Sequence, residues 1–167
     1  FLVGLVAGLS QSTALAINLG IWGFLTPLFL AVSHRMLPFF TSRVVGNHVA
    51  VRPYGPLWAM VSGCLAHAIL ATTGLDQWTW LADIPLAAMA LWFSARWGIA
   101  RALRDRLLAM LHIGFLWSSL AFALHAADSL LGLFDSRFNL GLAPLHALGM
   151  GFFGAILIGM ASRVTLG

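Results

Sequence analysis

Long apolar stretches separated by short polar segments run along most of the sequence. Five of these stretches have about the 20 residues that a helix needs to cross the hydrocarbon core of a bilayer. Their predicted bounds are Ala14–Ser33, Pro56–Thr73, Trp78–Trp97, Leu107–Leu131 and Leu140–Ser162. A lipid-exposed segment must satisfy its own backbone hydrogen bonds, and a helix does so. The pattern therefore predicts an all-α, polytopic transmembrane helix bundle.

The first residues form a shorter apolar stretch. Phe1–Leu9 is too short to cross a bilayer, and the polar run Ser10–Thr13 follows it. We interpret the stretch as the end of a truncated helix followed by a turn, and one long tilted helix is the alternative. The chain lacks an initial methionine, and it starts and stops in apolar sequence. We expect residues 1–167 to be a single transmembrane domain and a fragment of a longer protein.

Composition agrees with lipid as the main solvent. The chain is 60% hydrophobic and 8% charged, whereas soluble domains carry about 25% charged residues. The formal charge of +4 could suggest nucleic acid, but the arginines cluster between the predicted spans. We therefore expect a lipid bilayer as partner and no nucleic acid. The single cysteine, Cys64, excludes a disulfide within the chain.

The charges of the predicted loops alternate along the chain. The loops His34–Tyr54 and Arg96–Arg106 hold seven of the nine arginines, whereas the loops after the second and fourth spans are acidic or nearly neutral. Cytoplasmic loops carry an excess of basic residues. We therefore predict that both arginine-rich loops are cytoplasmic. Trp78 and Trp80 then fall at the outer interface, where tryptophan is enriched.

Four histidines lie inside predicted spans, namely His67, His112, His125 and His146. Ionisable side chains at membrane depth are costly and are functional candidates by default. Histidine is also a common metal and haem ligand. The alternative is a neutral imidazole that bonds to a neighbouring helix. That alternative is weaker for all four histidines together than for any one of them.

His67 shares a helical face with small residues at spacing four, among them Gly63. Small residues let another helix approach closely. We therefore predict that His67 points at a neighbouring helix and is a candidate metal ligand. Asp83 looks like an isolated carboxylate near the outer end of the third span.

His112 and His125 lie thirteen residues apart on the fourth span, which is about 20 Å along a helix axis. One small metal centre cannot hold both at that distance, and we do not expect one haem to be ligated by both. Asp128 follows His125 by three residues and shares its face. A carboxylate often accepts the second N–H of a metal-bound histidine. An ordinary polar helix end is the alternative for Asp128.

The fifth span carries small residues at spacing four, including Gly151, which predicts a close packing face like that of Gly63. His146 and Met150 lie beside this stripe, also at spacing four. Imidazole and thioether together suit haem iron or copper(I). In the predicted topology His125 and His146 lie at similar depth on adjacent antiparallel helices. We therefore predict that the two imidazoles meet in a haem or metal site.

Three segments resemble the NnrS family. The segment HRMLPFFT at residues 34–41 is similar to a family motif, as are LHALGMG at residues 145–151 and MASRVTLG at residues 160–167. The segment LHIGFLW at residues 111–117 is a further, weaker match. The positions that the resemblance carries over are Arg35, Met36, Pro38, Phe39, Phe40, Thr41, His112, His146 and Arg163.

The resemblance implies a multi-pass protein of the bacterial inner membrane with about twelve spans in full length. It implies that the protein binds haem and copper and is linked to nitric oxide metabolism and nitrosative stress, often alongside denitrification. Nitric oxide or a related small molecule and the remaining transmembrane helices would then be partners. A permease or channel whose histidines pass protons or ions is the alternative, and a structural membrane subunit is a third. Whether the protein turns over a substrate stays open.

Overall fold

The computed structural model describes residues 11–45, 51–134, 137 and 139–166. This part of the chain consists of helices and connecting segments without a strand, which confirms the all-α prediction. The helices are α1 (Gln11–Val44), α2 (Tyr54–Thr72), α3 (Trp80–Arg96), α4 (Ile99–Ala102), α5 (Arg106–Phe134) and α6 (Ala143–Leu166).

Four of these helices, α1, α2, α5 and α6, are long and apolar enough to cross a membrane. Helix α3 has 17 residues, so it is about 26 Å long and lies at the lower limit for a span. The polytopic membrane architecture is therefore confirmed. The third predicted span is shorter as a helix than its apolar stretch suggests.

Helix α1 is longer than predicted. Residues 11–13 are helical where a turn was predicted, and residues 34–44 are helical where a loop was predicted. The loop prediction for Arg35–Thr41 is therefore wrong. Pro38 and the arginines favoured a loop, but Leu37, Pro38 and Thr41 are buried against the bundle, and this packing keeps the chain helical. Residues 1–10 lie outside the described part of the chain.

Two segments of the long helices adopt the wider π-helical geometry. They are Leu19–Leu25 in α1 and Ala147–Gly154 in α6. The hydroxyl of Thr26 donates to the carbonyl of Ile21, five residues earlier, and so satisfies an acceptor at the end of the first segment. Trp22 is the buried residue of that segment. Such segments occur often at functional sites.

Helix α5 lies at the centre of the bundle. It packs most extensively on α6 and also on α3 and α1, whereas α2 packs on α1 and α3. Large buried side chains fill the space between these helices, among them Leu37, Met60, Leu86, Phe93, Trp97, Phe115, Phe122 and Phe152.

Glycines allow the closest approaches between helices. A Cβ atom placed on Gly63 would lie 3.1 Å from Leu86, and one placed on Gly151 would lie 2.6 Å from the ring of Trp117. The prediction that both glycines sit at close helix contacts is confirmed. Gly159 makes a similar contact with Leu111, so the small-residue stripe of α6 packs against α5.

The helices alternate in direction, so their ends form two sides. One side holds the ends of α1 and α3, the start of α5 and the end of α6, with Arg43, Arg96, Arg106 and Arg163. We call it the arginine-rich end. The other side holds the segment after α2, with the 3₁₀ helix Asp76–Trp78, and the start of α6. We call it the opposite end.

Candidate functional site

His67 of α2 is bonded to Asp83 of α3 inside the bundle. The side chains are 6% and 0% exposed, and His67 Nδ1 donates to Asp83 Oδ1 over 2.7 Å. The prediction that His67 points at a neighbouring helix is confirmed. The interpretation of Asp83 as an isolated carboxylate is wrong, because its partner lies on another helix. With its proton on Nδ1, His67 keeps a lone pair on Nε2.

His125 of α5 lies beside His67. The centroids of the two imidazole rings are 5.5 Å apart, and the rings are nearly perpendicular. Among the described residues, His125 Nε2 and Asp83 Oδ2 are buried atoms without a hydrogen-bond partner. Such atoms cost free energy and are rare in folded proteins. An additional bound group at this position would compensate for that cost.

Trp22, from the π-helical segment of α1, covers both imidazoles. Its ring stacks on His67 with 3.5 Å between centroids and meets His125 edge-on at 5.0 Å. We call Trp22, His67, Asp83 and His125 the histidine cluster. Four helices each contribute one of these residues. Sequence reasoning missed Trp22, which has no distinguishing signal, and missed the partner of Asp83, although a carboxylate at membrane depth requires one.

A pocket of about 310 Å³ reaches the histidine cluster from the opposite end. Besides the two histidines it is lined by five polar residues and by Ala71 and Gly132, the polar ones being Asp76, Gln77, Thr79, Asp128 and Ser129. A small polar molecule or a cation entering from that end would therefore meet carboxylates first and imidazoles next.

Asp128 lines this pocket together with His125. Its Oδ1 atom accepts a hydrogen bond from the backbone N–H of Leu140 at 2.6 Å. Asp128 therefore ties Leu140, which precedes α6, to helix α5. The carboxylate that the structure bonds to a histidine is Asp83, and a role for Asp128 behind His125 stays a prediction.

His146 and Met150 face outward from α6, and Met150 is 72% exposed. His146 Nδ1 donates to the carbonyl of Leu142 over 2.8 Å, so Nε2 keeps its lone pair on the exposed face. Both side chains line a shallow groove between α5 and α6 with Trp117. In the described part of the chain no ring contact joins His146 to His125. The structure brings His125 together with His67 instead.

His112 and Thr41 meet at the arginine-rich end. Thr41 Oγ1 donates to the carbonyl of Leu37 and lies 2.8 Å from His112 Nε2. A hydroxyl has one proton to donate, so His112 donates from Nε2 to Thr41. A metal bound at His112 Nε2 would have to displace this bond.

Arg163 lies at the same end of the bundle. Its guanidinium contacts Asp105 at 3.4 Å and lies 5.6 Å from the centre of the Phe40 ring. Three segments that carry the family resemblance, at residues 34–41, 111–117 and 160–167, therefore converge at the arginine-rich end, whereas the segment at residues 145–151 lies at the start of α6, at the opposite end. His112 and His146 are the candidate histidines that lie in the quoted motifs. Of these two, His146 faces away from the bundle.

His34 and the rest of the first motif also belong to this end. His34 Nε2 donates to the carbonyl of Pro53 over 3.1 Å, and its ring packs among Tyr54, Phe93 and Trp97. It holds the segment before α2 against α3. Arg35, Met36 and Phe39 line a surface pocket with Arg52.

The sequence model of the NnrS protein family matches residues 1–167. This chain belongs to the NnrS family. Neither the search of curated proteins nor the search of solved structures produced a match. The family match confirms the resemblance that the four motifs indicated.

The NnrS chain offers two sets of donors for the cofactors that its family resemblance implies. Within the described residues, no group of three or more His, Cys, Asp or Glu side chains is placed to hold a metal ion. The first set is His67 Nε2 with the Nε2 of His125, which has no hydrogen-bond partner among the described residues. The second set is His146 with Met150 on the exposed face of α6. Imidazole and thioether both suit copper and haem iron.

Proposed function

We propose that this NnrS chain is part of a haem- and copper-binding protein of the bacterial inner membrane that acts in nitric oxide metabolism and the response to nitrosative stress. Family membership over residues 1–167 supports the proposal. The observation that carries it is the pair of adjacent imidazoles of His67, which is buried and oriented by Asp83, and His125, which is half-buried. Ionisable groups at this depth are kept for function.

We assign the two donor sets to different cofactors. His67 and His125 would hold copper, whereas His146 with Met150 would contribute to a haem that helices outside this chain complete. When bound, the two metals supply binding positions for nitric oxide or a related small molecule. The pocket of about 310 Å³ would admit such a molecule to the first set.

Full-length protein purified from bacterial membranes tests the proposal. We expect a Soret band in the absorbance spectrum, bound copper in metal analysis and a shift of the Soret band on addition of nitric oxide. His146→Ala should weaken or alter the haem spectrum, whereas His34→Ala, which changes a histidine bonded to backbone, should leave it intact. A protein without haem and copper would contradict the proposal.

A second candidate function is proton or ion passage. The polar pocket that ends at His67 and His125, with Asp83 behind it, favours it because intramembrane carboxylate–histidine chains act as proton relays. Reconstitution in vesicles with an internal pH-sensitive dye tests this candidate. Proton flux that Asp83→Asn abolishes, in protein without a Soret band, would favour passage over cofactor binding.

A further inference from the structure

We infer that His67 and His125 bind a single transition-metal ion, with Asp83 as the positioning residue of His67, at a site that takes no haem. The inference rests on the proposed function in that it assigns the metal of that function to one place. His67 presents Nε2 because Asp83 holds the proton of Nδ1. His125 Nε2 is buried and lacks a hydrogen-bond partner among the described residues.

The spacing of the rings suits a shared ion. Nitrogen ligands lie about 2 Å from metals of this kind, and the two ring centroids are 5.5 Å apart at a steep angle. The arrangement resembles the carboxylate–histidine–metal triads in which a carboxylate fixes the tautomer and raises the basicity of the ligand. Asp83 is fully buried, so water does not compete strongly for its bond to His67.

Trp22 excludes a porphyrin from this place. Its ring stacks at 3.5 Å on one side of His67 and lies 5.0 Å from His125. A macrocycle bound to either imidazole would need a wide slot across the ring nitrogen, and the Trp22 ring and the other imidazole both have their centroids within 5.5 Å of that imidazole. A bare ion needs only the gap between two nitrogen atoms. His146 differs, because its Nε2 faces the exposed side of α6.

The donors and the access route indicate the class of ion. Neutral imidazoles suit copper, zinc, iron and nickel, and copper(II) stands at the top of the affinity order of divalent ions. The pocket that leads to the cluster carries Asp76 and Asp128 in its lining, and carboxylates in a cleft attract cations. An ion can therefore reach the site from the opposite end without crossing the apolar core.

Metal analysis of full-length protein tests the site, with copper and zinc as the probes. We expect His67→Gln and His125→Asn to bind less than about a tenth of the wild-type copper and to keep the wild-type haem content. Asp83→Asn should weaken copper affinity by roughly 10- to 100-fold. His34→Gln is the matched control, since it changes a buried histidine at the arginine-rich end, and it should keep its copper.

X-ray absorption of copper in the wild-type protein makes the test independent of how well the variants fold. Scattering from two imidazoles is expected, and a copper site without imidazole would overturn the inference. Full copper in both His67→Gln and His125→Asn would also overturn it, as would loss of haem from both with copper retained. Wild-type protein that binds copper through two imidazoles but holds no haem would contradict the proposed function and support this site.

Discussion

The hydrogen-bond partner of each imidazole decides which ring nitrogen keeps a lone pair. His67 and His146 donate from Nδ1, to Asp83 and to the Leu142 carbonyl, and so present Nε2. His34 and His112 donate from Nε2, to the Pro53 carbonyl and to Thr41. At the scale of single residues, the first two are therefore better placed as metal ligands through Nε2, and the second two join neighbouring segments of the bundle.

Thr41→Val tests the structural role that we assign to His112. The substitution keeps the shape of the side chain but removes the acceptor of His112 Nε2–H in a fully buried place. We expect a loss of about 1–3 kcal/mol in the free energy of unfolding, measured by unfolding in mixed detergent. Thr41→Ser keeps the hydroxyl and should lose much less. Equal losses in the two variants would mean that the methyl group, and not the hydroxyl, matters at this position.

Gly151→Ala tests the contact between α6 and α5. The added methyl would lie 2.6 Å from the Trp117 ring, so the interface must shift, at a cost of about 1–3 kcal/mol. Gly149→Ala is the matched control in the same π-helical segment, because nothing lies within 4 Å of an added Cβ there. Thermal unfolding in detergent should separate the two variants. Similar melting temperatures would contradict the close packing of Gly151.

At the scale of helices, packing of one face outweighed local sequence signals. Pro38 and three nearby arginines suggested a loop, yet α1 continues to Val44 because its buried face still contacts the bundle. Proline is tolerated in membrane helices where neighbouring groups satisfy the freed backbone atoms. Helix starts followed more familiar rules, since Asp105 precedes α5 and its Oδ1 accepts from the Leu108 N–H.

Asp105→Ala tests how the start of α5 is stabilised. The substitution removes both the cap on the Leu108 N–H and the partner of Arg163. We expect a loss of about 0.5–2 kcal/mol in the free energy of unfolding, mostly from the cap, because a partly exposed ion pair contributes little. Asp105→Asn keeps the cap and should recover most of that loss. If Asp105→Asn is as unstable as Asp105→Ala, the ion pair with Arg163 is the larger contribution.

At the scale of the whole molecule, the chemistry divides between two ends. At the arginine-rich end Thr41 and His112 share a hydrogen bond, and Arg163 contacts Asp105 and the Phe40 ring. The opposite end holds the polar pocket and the histidine cluster. The motif residues at the arginine-rich end therefore join helices. The imidazole nitrogens that could bind a ligand lie towards the opposite end.

Labelling with an impermeant thiol reagent tests which end faces the cytoplasm. The excess of arginine predicts that the arginine-rich end is inside. In a Cys64→Ala background, cysteine at exposed Gln77 should react in intact cells. Cysteine at exposed Arg101 should react only after the membrane is opened. The reverse pattern would invert the orientation and place the polar pocket on the cytoplasmic side.

The sequence by itself predicted that most of this protein lies in lipid and where its long helices run. Apolar stretches of membrane length predict helices because backbone groups in lipid must pair within their own segment, and α2, α5 and α6 follow those predictions closely. The small residues Gly63 and Gly151 also predicted the helix contacts, because a residue without a side chain lets a neighbouring helix approach closely. For the same reason His67 was predicted to point at a neighbouring helix, and the structure buries it against one.

Only the tertiary structure decided which side chains meet. The bond from His67 to Asp83 and the contacts of Trp22 and His125 join four helices, and spacing along one helix contains no information about its neighbours. Similar depth suggested His125 and His146 as partners, but depth leaves rotation about each helix axis undetermined. Packing sets that rotation by burying bulky side chains and glycine contacts, so it turned His125 towards His67 and His146 away from the bundle.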